Sequence, residues 1–175
     1  MTNSIKKKLL FIIKSFGYSI LFLLYGKIKG IIDSTKHESI EIFNTTLDEN
    51  YTYKIFQIKN CRIYTDTVTD TAFIIDNKII NGPSFQHRNP KNAEVSENIV
   101  FQKGTPKLKK KLSGAVFSLL TGGGGNANYW HWLFDVLPRL KILQTKKNLN
   151  EIDFFLFPDI KEKYQFESLD ILNIP

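Results

Sequence analysis

The stretch GAVFSLLTGGGGNANYWHWLFDVLPRL, residues 114–140, decides the fold of this chain. It opens with a short apolar run, residues 114–120, of the kind found in strands that are buried on both faces. Glycines follow, and Asn126 is well placed to cap a helix that we predict over about residues 127–145. A buried strand, a glycine turn and a helix in this order begin an α/β unit.

The downstream sequence repeats this pattern. Residues 152–157 form a second apolar run of strand type, and a helical stretch follows over about residues 161–172. We therefore predict a β-α-β-α unit over residues 113–175, with two parallel strands joined by a right-handed crossover, as at the start of a Rossmann-like doubly wound sheet. Two parallel strands do not make a stable open sheet, so we expect further strands after residue 175 and interpret the chain as a fragment of a longer protein.

Upstream, residues 51–112 read as a small β-rich unit. Strand-like residues are enriched at 51–58 and 62–64, and a strand-turn-strand pattern covers residues 72–80. Residues 31–50 are polar and mixed, and we predict a linker there with short structured pieces.

The positive charge of the chain is concentrated at its amino end. The net charge is +7, and residues 1–30 hold six lysines and no acidic residue, so the remainder is nearly neutral. A second lysine run at residues 103–111 has no interleaved aromatic residues on which bases would stack, and we favour a solvated loop over an anion-facing patch. We therefore expect no nucleic-acid partner. Cys61 is the only cysteine, which excludes an internal disulfide and a cysteine-based metal site.

Residues 9–25 are apolar almost throughout and are flanked by lysines, which indicates a membrane segment at residues 1–30. The apolar run is at the short edge of what spans a bilayer, and Lys14 interrupts it. On a helix its polar side chains fall along one stripe, formed by Lys7, Lys14, Ser15, Tyr18 and Ser19. We favour a helix lying in the interface over a spanning helix or a cleaved signal peptide. This predicts contact with a membrane surface through residues 5–29, at the cytoplasmic face of the inner membrane.

The predicted helix over residues 127–145 carries a polar stripe. Its members advance by three, four and four residues along one helical face: Asn128, His131, Asp135 and Arg139. An apolar face for the sheet is supplied by Trp130, Leu133, Phe134, Leu137 and Leu140. In open α/β sheets ligands bind just beyond the carboxyl end of a strand, so we take the polar stripe as the candidate site.

Two members of the stripe suit proton transfer. A carboxylate at Asp135 would fix the tautomer of the His131 imidazole and raise its basicity, as in a general base that takes a proton from a hydroxyl. The alternative is structural, with a histidine ring satisfied by a neighbouring carboxylate. Pro138 would crowd the carbonyl of Phe134, so we predict a kink there. Arg139 would face either a phosphate or a structural carboxylate.

The glycine run also has two interpretations. Its members, Gly122, Gly123, Gly124 and Gly125, would let the backbone approach a diphosphate at a helix amino terminus, or would simply make a tight turn. Together with Ala127 they match the dinucleotide fingerprint G-x-G-x-x-A only weakly, because four consecutive glycines fit many patterns. No G-K-[ST] follows, which disfavours a P-loop kinase or ATPase.

The string N-x-N-Y-W-H-W-L-F-D-V-L-P-R-L, residues 126–140, with the preceding strand and glycines, resembles the signature of glycosyltransferase family 61, whose bacterial members include capsular and other surface polysaccharide biosynthesis proteins. The resemblance extends over about residues 50–175. It implies the amino-terminal half of a GT-B-type fold, in which two Rossmann-like domains hold a sugar nucleotide mostly through the second domain. The implied chemistry is transfer from a sugar nucleotide to a hydroxyl of a glycan or lipid-linked glycan, without a required metal or other cofactor.

The resemblance also suggests roles for individual residues. His131 and Asp135 become the candidate catalytic pair. The candidate substrate-binding residues are Asn128, Arg139, Gly122, Gly123, Gly124, Gly125 and Asn126. The later histidine- and glycine-bearing region of the family is missing, so we expect this chain alone to be inactive. Two other functions stay open: a non-catalytic remnant or membrane-tethered glycan-binding module, and a nicotinamide-dependent enzyme with Asp159 as its acidic residue.

Overall fold

The computed structural model describes residues 2–66, 69–88, 91–120, 128–157 and 159–174. The amino-terminal elements are α1 (Thr2–Tyr25), β1 (Gly30–Asp33), β2 (Ile40–Asp48), β3 (Tyr51–Ile58), β4 (Arg62–Thr65), β5 (Asp70–Ile75), β6 (Lys78–Asn81), β7 (Phe85–Arg88), β8 (Lys91–Asn92) and α2 (Val100–Lys103). The carboxyl-terminal elements are β9 (Val116–Ser118), α3 (Tyr129–His131), a π-helical segment (Trp132–Val136), α4 (Leu137–Gln144), β10 (Phe154–Leu156) and α5 (Lys163–Ile171). The chain is mixed α/β, which confirms the predicted class; a Rossmann-like or GT-B-type arrangement stays a prediction.

β5 is the central strand of the main sheet. Among the described residues this sheet has six strands: β5 pairs antiparallel with β4, β6 and β7, β8 pairs with β7, and β1 lies parallel to β6. The strand-turn-strand predicted over residues 72–80 is confirmed by β5 and β6. Asp76 and Asn77 join the two strands with φ angles of 47° and 58°. Two-residue hairpin turns need this left-handed backbone, and Asp and Asn tolerate it.

Consecutive isoleucines in β5 and in β6 give the main sheet a buried cluster on each face. Ile74 and Ile79 pack in one cluster with Val100, whereas Ile75 and Ile80 belong to a second cluster covered by the β2–β3 hairpin. Successive side chains of a strand point to opposite faces, which explains how neighbouring isoleucines enter different clusters.

An ion pair with a buried carboxylate lies at one end of β5. The Asp70 carboxylate is 1% exposed and accepts hydrogen bonds from both terminal nitrogens of Arg88, each at 3.0 Å, and from the Ile99 amide at 3.0 Å. The hydrogen bond to Asp70 raises the pKa of Arg88. A buried carboxylate needs such partners, so the pair fixes β7 and the turn before α2 against β5.

The prediction of a linker at residues 31–50 is wrong. β1 joins the main sheet, and β2 pairs with β3 along its length. The polar residues that suggested a linker form the solvent face of this hairpin: Glu41 pairs with Gln57, and both are exposed. Their neighbours Ile40 and Ile58 pair with each other and pack on the main sheet.

β9 and β10 form the predicted parallel pair, with Val116 opposite Phe154 and Phe117 opposite Phe155. α5 confirms the second predicted helix. The expectation that both strands are buried on both faces is wrong, since β9 is half-buried and Phe154 is exposed. Among the described residues each strand has only the other as its neighbour, which leaves two open edges.

α1 confirms that the amino-terminal segment is helical. Lys7, Ser15, Tyr18 and Ser19 are exposed, as the predicted polar stripe requires, while the side chain of Lys14 lies outside the described part. Within the described residues, no helix combines the length and the apolarity that crossing a bilayer requires. The helix ends at Tyr25, and Gly26 follows it with a φ angle of 76° and an amide that donates to the Phe22 carbonyl at 3.0 Å.

Candidate functional site

Asn128 caps the helix that carries the candidate site. Its side-chain oxygen accepts hydrogen bonds from the amides of Trp130, at 3.1 Å, and His131, at 3.4 Å. This satisfies amides that a helix start leaves without intrahelical partners. The described helix is therefore capped at Asn128, not at the predicted Asn126, which lies outside the described residues. The side-chain oxygen of Asn128 is already an acceptor for these two amides, so a ligand that bound to it would share it with them.

His131 and Asp135 form the pair that their spacing predicted. The His131 Nδ1 atom lies 2.6 Å from the Asp135 Oδ2 atom, and the two side chains are 50% and 49% exposed. An ionised carboxylate only accepts hydrogen bonds, so the proton of a neutral imidazole sits on Nδ1. The lone pair of Nε2 is then available to a group in solution, which is the state a general base needs.

Arg139 contacts backbone carbonyls at this site. Its Nε atom donates to the Asp135 carbonyl at 3.0 Å, and one terminal nitrogen donates to the Leu120 carbonyl at 3.4 Å. Leu120 follows β9, so the guanidinium ties the helix to the end of that strand. Burial of the guanidinium lowers the pKa of Arg139, and the Asp135 carboxylate acts in the opposite direction. Arginine keeps its charge at any physiological pH, and this cation therefore stays one turn from the His131–Asp135 pair.

Aromatic rings lie exposed beside the pair. The Trp130 and Phe134 rings stack with centroids 5.0 Å apart and planes 21° from parallel, and the two residues are 70% and 62% exposed. The prediction that both belong to the buried face is wrong. The other three predicted members do pack in the carboxyl-terminal core: Leu133, Leu137 and Leu140.

Trp132 is the core residue that sequence reasoning missed. Trp132 and Val136 are fully buried, and both belong to the same core cluster as Leu140. The three residues follow one another at intervals of four. Its Nε1 atom donates to the Ser168 hydroxyl in α5 at 2.8 Å, and its ring lies 5.9 Å from the Phe157 ring. The apolar residues at positions 132, 136 and 140 were a usable signal for this buried ridge.

A π-helical segment precedes Pro138, and the kink predicted there stays a prediction. Trp132–Val136 is π-helical, and the Leu137 amide donates to the Trp132 carbonyl five residues back. Pro138 has no amide proton and would crowd a carbonyl of the preceding turn, which the wider segment relieves.

Two sets of predicted residues remain, the glycine run with Asn126 and the acidic residue Asp159. Gly122, Gly123, Gly124, Gly125 and Asn126 lie outside the described residues. Asp159, the acid considered for a nicotinamide site, forms an exposed ion pair with Lys161 at 2.6 Å. Across the described part of the chain, no three His, Cys, Asp or Glu side chains converge as a metal site would require.

Comparison with protein-family models, with curated proteins and with solved structures found no match to this chain. The resemblance to glycosyltransferase family 61 therefore rests on the motif residues at 126–140.

Proposed function

We propose that this chain is the acceptor-side part of a glycosyltransferase that extends a bacterial surface glycan. The observation that carries the proposal is the His131–Asp135 hydrogen bond of 2.6 Å on a half-exposed helical face, within a motif that resembles the family 61 signature. The proposal includes the Rossmann-like character of the β9–β10 unit and a sugar nucleotide as donor.

In the proposed reaction, the His131 Nε2 atom takes the proton of an acceptor hydroxyl. The hydroxyl oxygen then bonds to the anomeric carbon of the donor sugar, while the bond from that carbon to the phosphate oxygen breaks and the nucleotide leaves with its electron pair. Asp135 holds the imidazole in the reactive tautomer and stabilises the imidazolium that forms. The Arg139 charge favours an anionic donor nearby.

The stacked rings of Trp130 and Phe134 support an acceptor sugar next to this base. A pyranose offers a flat face of C–H groups to an aromatic ring and hydroxyls around its edge. Here a flat aromatic surface and a hydrogen-bonding pair lie side by side on one helix. Aromatic rings contribute a large apolar contact area, and a polar group close to them can bind the hydroxyls of the same ligand.

Transfer is tested with the product of the intact gene, in membranes, with a panel of sugar nucleotides and surface glycan acceptors. Release of the nucleotide should fall about 10²- to 10⁴-fold in His131→Ala, because a general base contributes that much. Release of the nucleotide should also fall in Asp135→Asn. His87→Ala and Asp159→Asn, which alter an exposed histidine and an exposed aspartate elsewhere, are matched controls that should keep full activity. Unchanged turnover in His131→Ala would remove His131 from the chemistry.

A second candidate function is a glycan-binding module without catalysis. The exposed stacked pair Trp130 and Phe134 favours it, since sugars bind to such surfaces without any base. Binding of surface glycans, measured by saturation-transfer NMR, separates the two functions. In the module, Trp130→Ala abolishes binding and no variant of His131 changes a transfer rate, because no transfer occurs.

A further inference from the structure

One face of α1 is an apolar stripe that none of the described residues covers. The stripe consists of Phe16, Ile20, Leu23 and Leu24, which are all exposed. At 100° per residue these four side chains fall within about a third of the helix circumference. A contiguous apolar surface of this kind marks an interaction site rather than ordinary exposure of single residues.

On the opposite face, the last turn of α1 contacts the rest of the protein. Phe22 lies against Gly104, with its ring 3.1 Å from where a Cβ on that glycine would sit. The Tyr25 carbonyl accepts a hydrogen bond from Arg62 at 3.2 Å, and the Tyr25 hydroxyl accepts one from the Lys109 amide at 3.2 Å. These contacts fix the rotation of the helix, so the apolar stripe is turned away from the protein.

Lysines border the stripe at both of its ends. Lys6, Lys7 and Lys8 precede it, Lys27 and Lys29 follow it, and all five are exposed. Residues 1–30 contain no acidic side chain to neutralise them. An apolar helical face between exposed cations complements an anionic bilayer surface, with acyl chains below and phosphates at the sides.

We propose that α1 lies flat in the head-group region of an anionic membrane, with the Phe16–Ile20–Leu23–Leu24 stripe inserted and the lysines against lipid phosphates. The main sheet then lies on the cytoplasmic side of the helix. This surface stands independently of the transferase proposal, because its test needs no sugar.

The test is co-sedimentation of the full chain with vesicles of phosphatidylglycerol and phosphatidylethanolamine, compared with vesicles of phosphatidylcholine alone. We expect binding to the anionic vesicles, weakened by salt. Leu23→Ser should weaken it about tenfold, since burial of one leucine contributes at least that much. Ile171→Ser is the matched control: Ile171 is 80% exposed, close to 83% for Leu23, but lies on α5. It should bind as the unchanged chain does.

Other outcomes overturn the proposal. If Leu23→Ser binds anionic vesicles as the unchanged chain does, the lysines act without insertion of the stripe. If the chain binds phosphatidylcholine vesicles equally well, the charge argument fails. If Ile171→Ser loses as much binding as Leu23→Ser, the contact lies elsewhere. Self-association that Leu23→Ser reverses, without vesicle binding, makes a second copy of the chain the occupant. Phe16→Ser serves in place of Leu23→Ser if circular dichroism shows that the latter is unfolded. His131→Ala should leave binding unchanged, so failure of the transferase proposal and failure of this one are distinguishable.

Discussion

Trp132 and Trp130 lie two residues apart on one helix, yet the same substitution should lower the free energy of unfolding by very different amounts. Trp132 is 0% exposed and donates to Ser168, whereas Trp130 is 70% exposed. In Trp132→Phe the lost hydrogen bond costs about 1 kcal/mol of the free energy of unfolding. The smaller ring forfeits about 1 kcal/mol of apolar burial, and a cavity of about 40 Å³ costs about 1 kcal/mol more. We therefore expect a loss of about 3 kcal/mol for Trp132→Phe and of at most about 0.5 kcal/mol for Trp130→Phe.

Urea unfolding followed by far-ultraviolet circular dichroism measures both variants. With a slope of about 2 kcal/mol per molar urea, the midpoint of Trp132→Phe should drop by about 1.5 M, while that of Trp130→Phe stays in place. Ser168→Ala isolates the hydrogen bond, because it keeps the indole and removes its acceptor, and should cost about 1–2 kcal/mol. Equal midpoints for the two tryptophan variants would refute the assignment of Trp132 to the core.

Three further predictions concern the amino-terminal unit and the turn into β9. Asp70→Asn should lower the free energy of unfolding by about 2 kcal/mol in urea titration, because it weakens the charged hydrogen bonds to Arg88; a loss below about 1 kcal/mol would contradict this reading. Burial raises the pKa of the Cys61 thiol to about 11, so a thiol reagent at pH 8 should react far more slowly with the native chain than with the chain in urea. The stability that this thiol contributes is complete below its ordinary pKa of 9.0 and is lost as the pH rises through about 11, so Cys61→Ala should flatten the decline in alkaline unfolding titrations. Gly114→Ala should destabilise by about 1–3 kcal/mol, because φ is 132° and a Cβ would collide with a carboxylate, whereas Gly30→Ala, with nothing within 4 Å of its Cβ position, is the control that should change far less.

Local chemistry made part of the fold predictable. The Asp76–Asn77 turn follows from residue types that tolerate left-handed backbone, and the β9–β10 pair follows from two short apolar runs around a helix. The pairing of β1 with β6 was not predictable, because β1 has four residues and a partner that is distant in sequence. The composition of residues 31–50 does not indicate which strand β1 pairs with.

The candidate site divides in the same way. The contact between His131 and Asp135 follows from a spacing of four residues on a helix, and the structure contains it. The exposure of Trp130 and Phe134 did not follow, because the helix buries the ridge of Trp132, Val136 and Leu140 instead. Arg139 donates to backbone carbonyls. Every residue has a backbone carbonyl, so a pattern of side chains cannot predict these contacts.

The parallel pairing of β1 with β6 leads us to expect a particular order of folding during synthesis. α1 and β1 leave the ribosome before any residue of β6 has been added, and a parallel strand cannot be satisfied by a neighbour across a tight turn. The β5–β6 hairpin closes through two residues and needs no help from β1. We therefore expect β1 to dock onto a hairpin that is already formed.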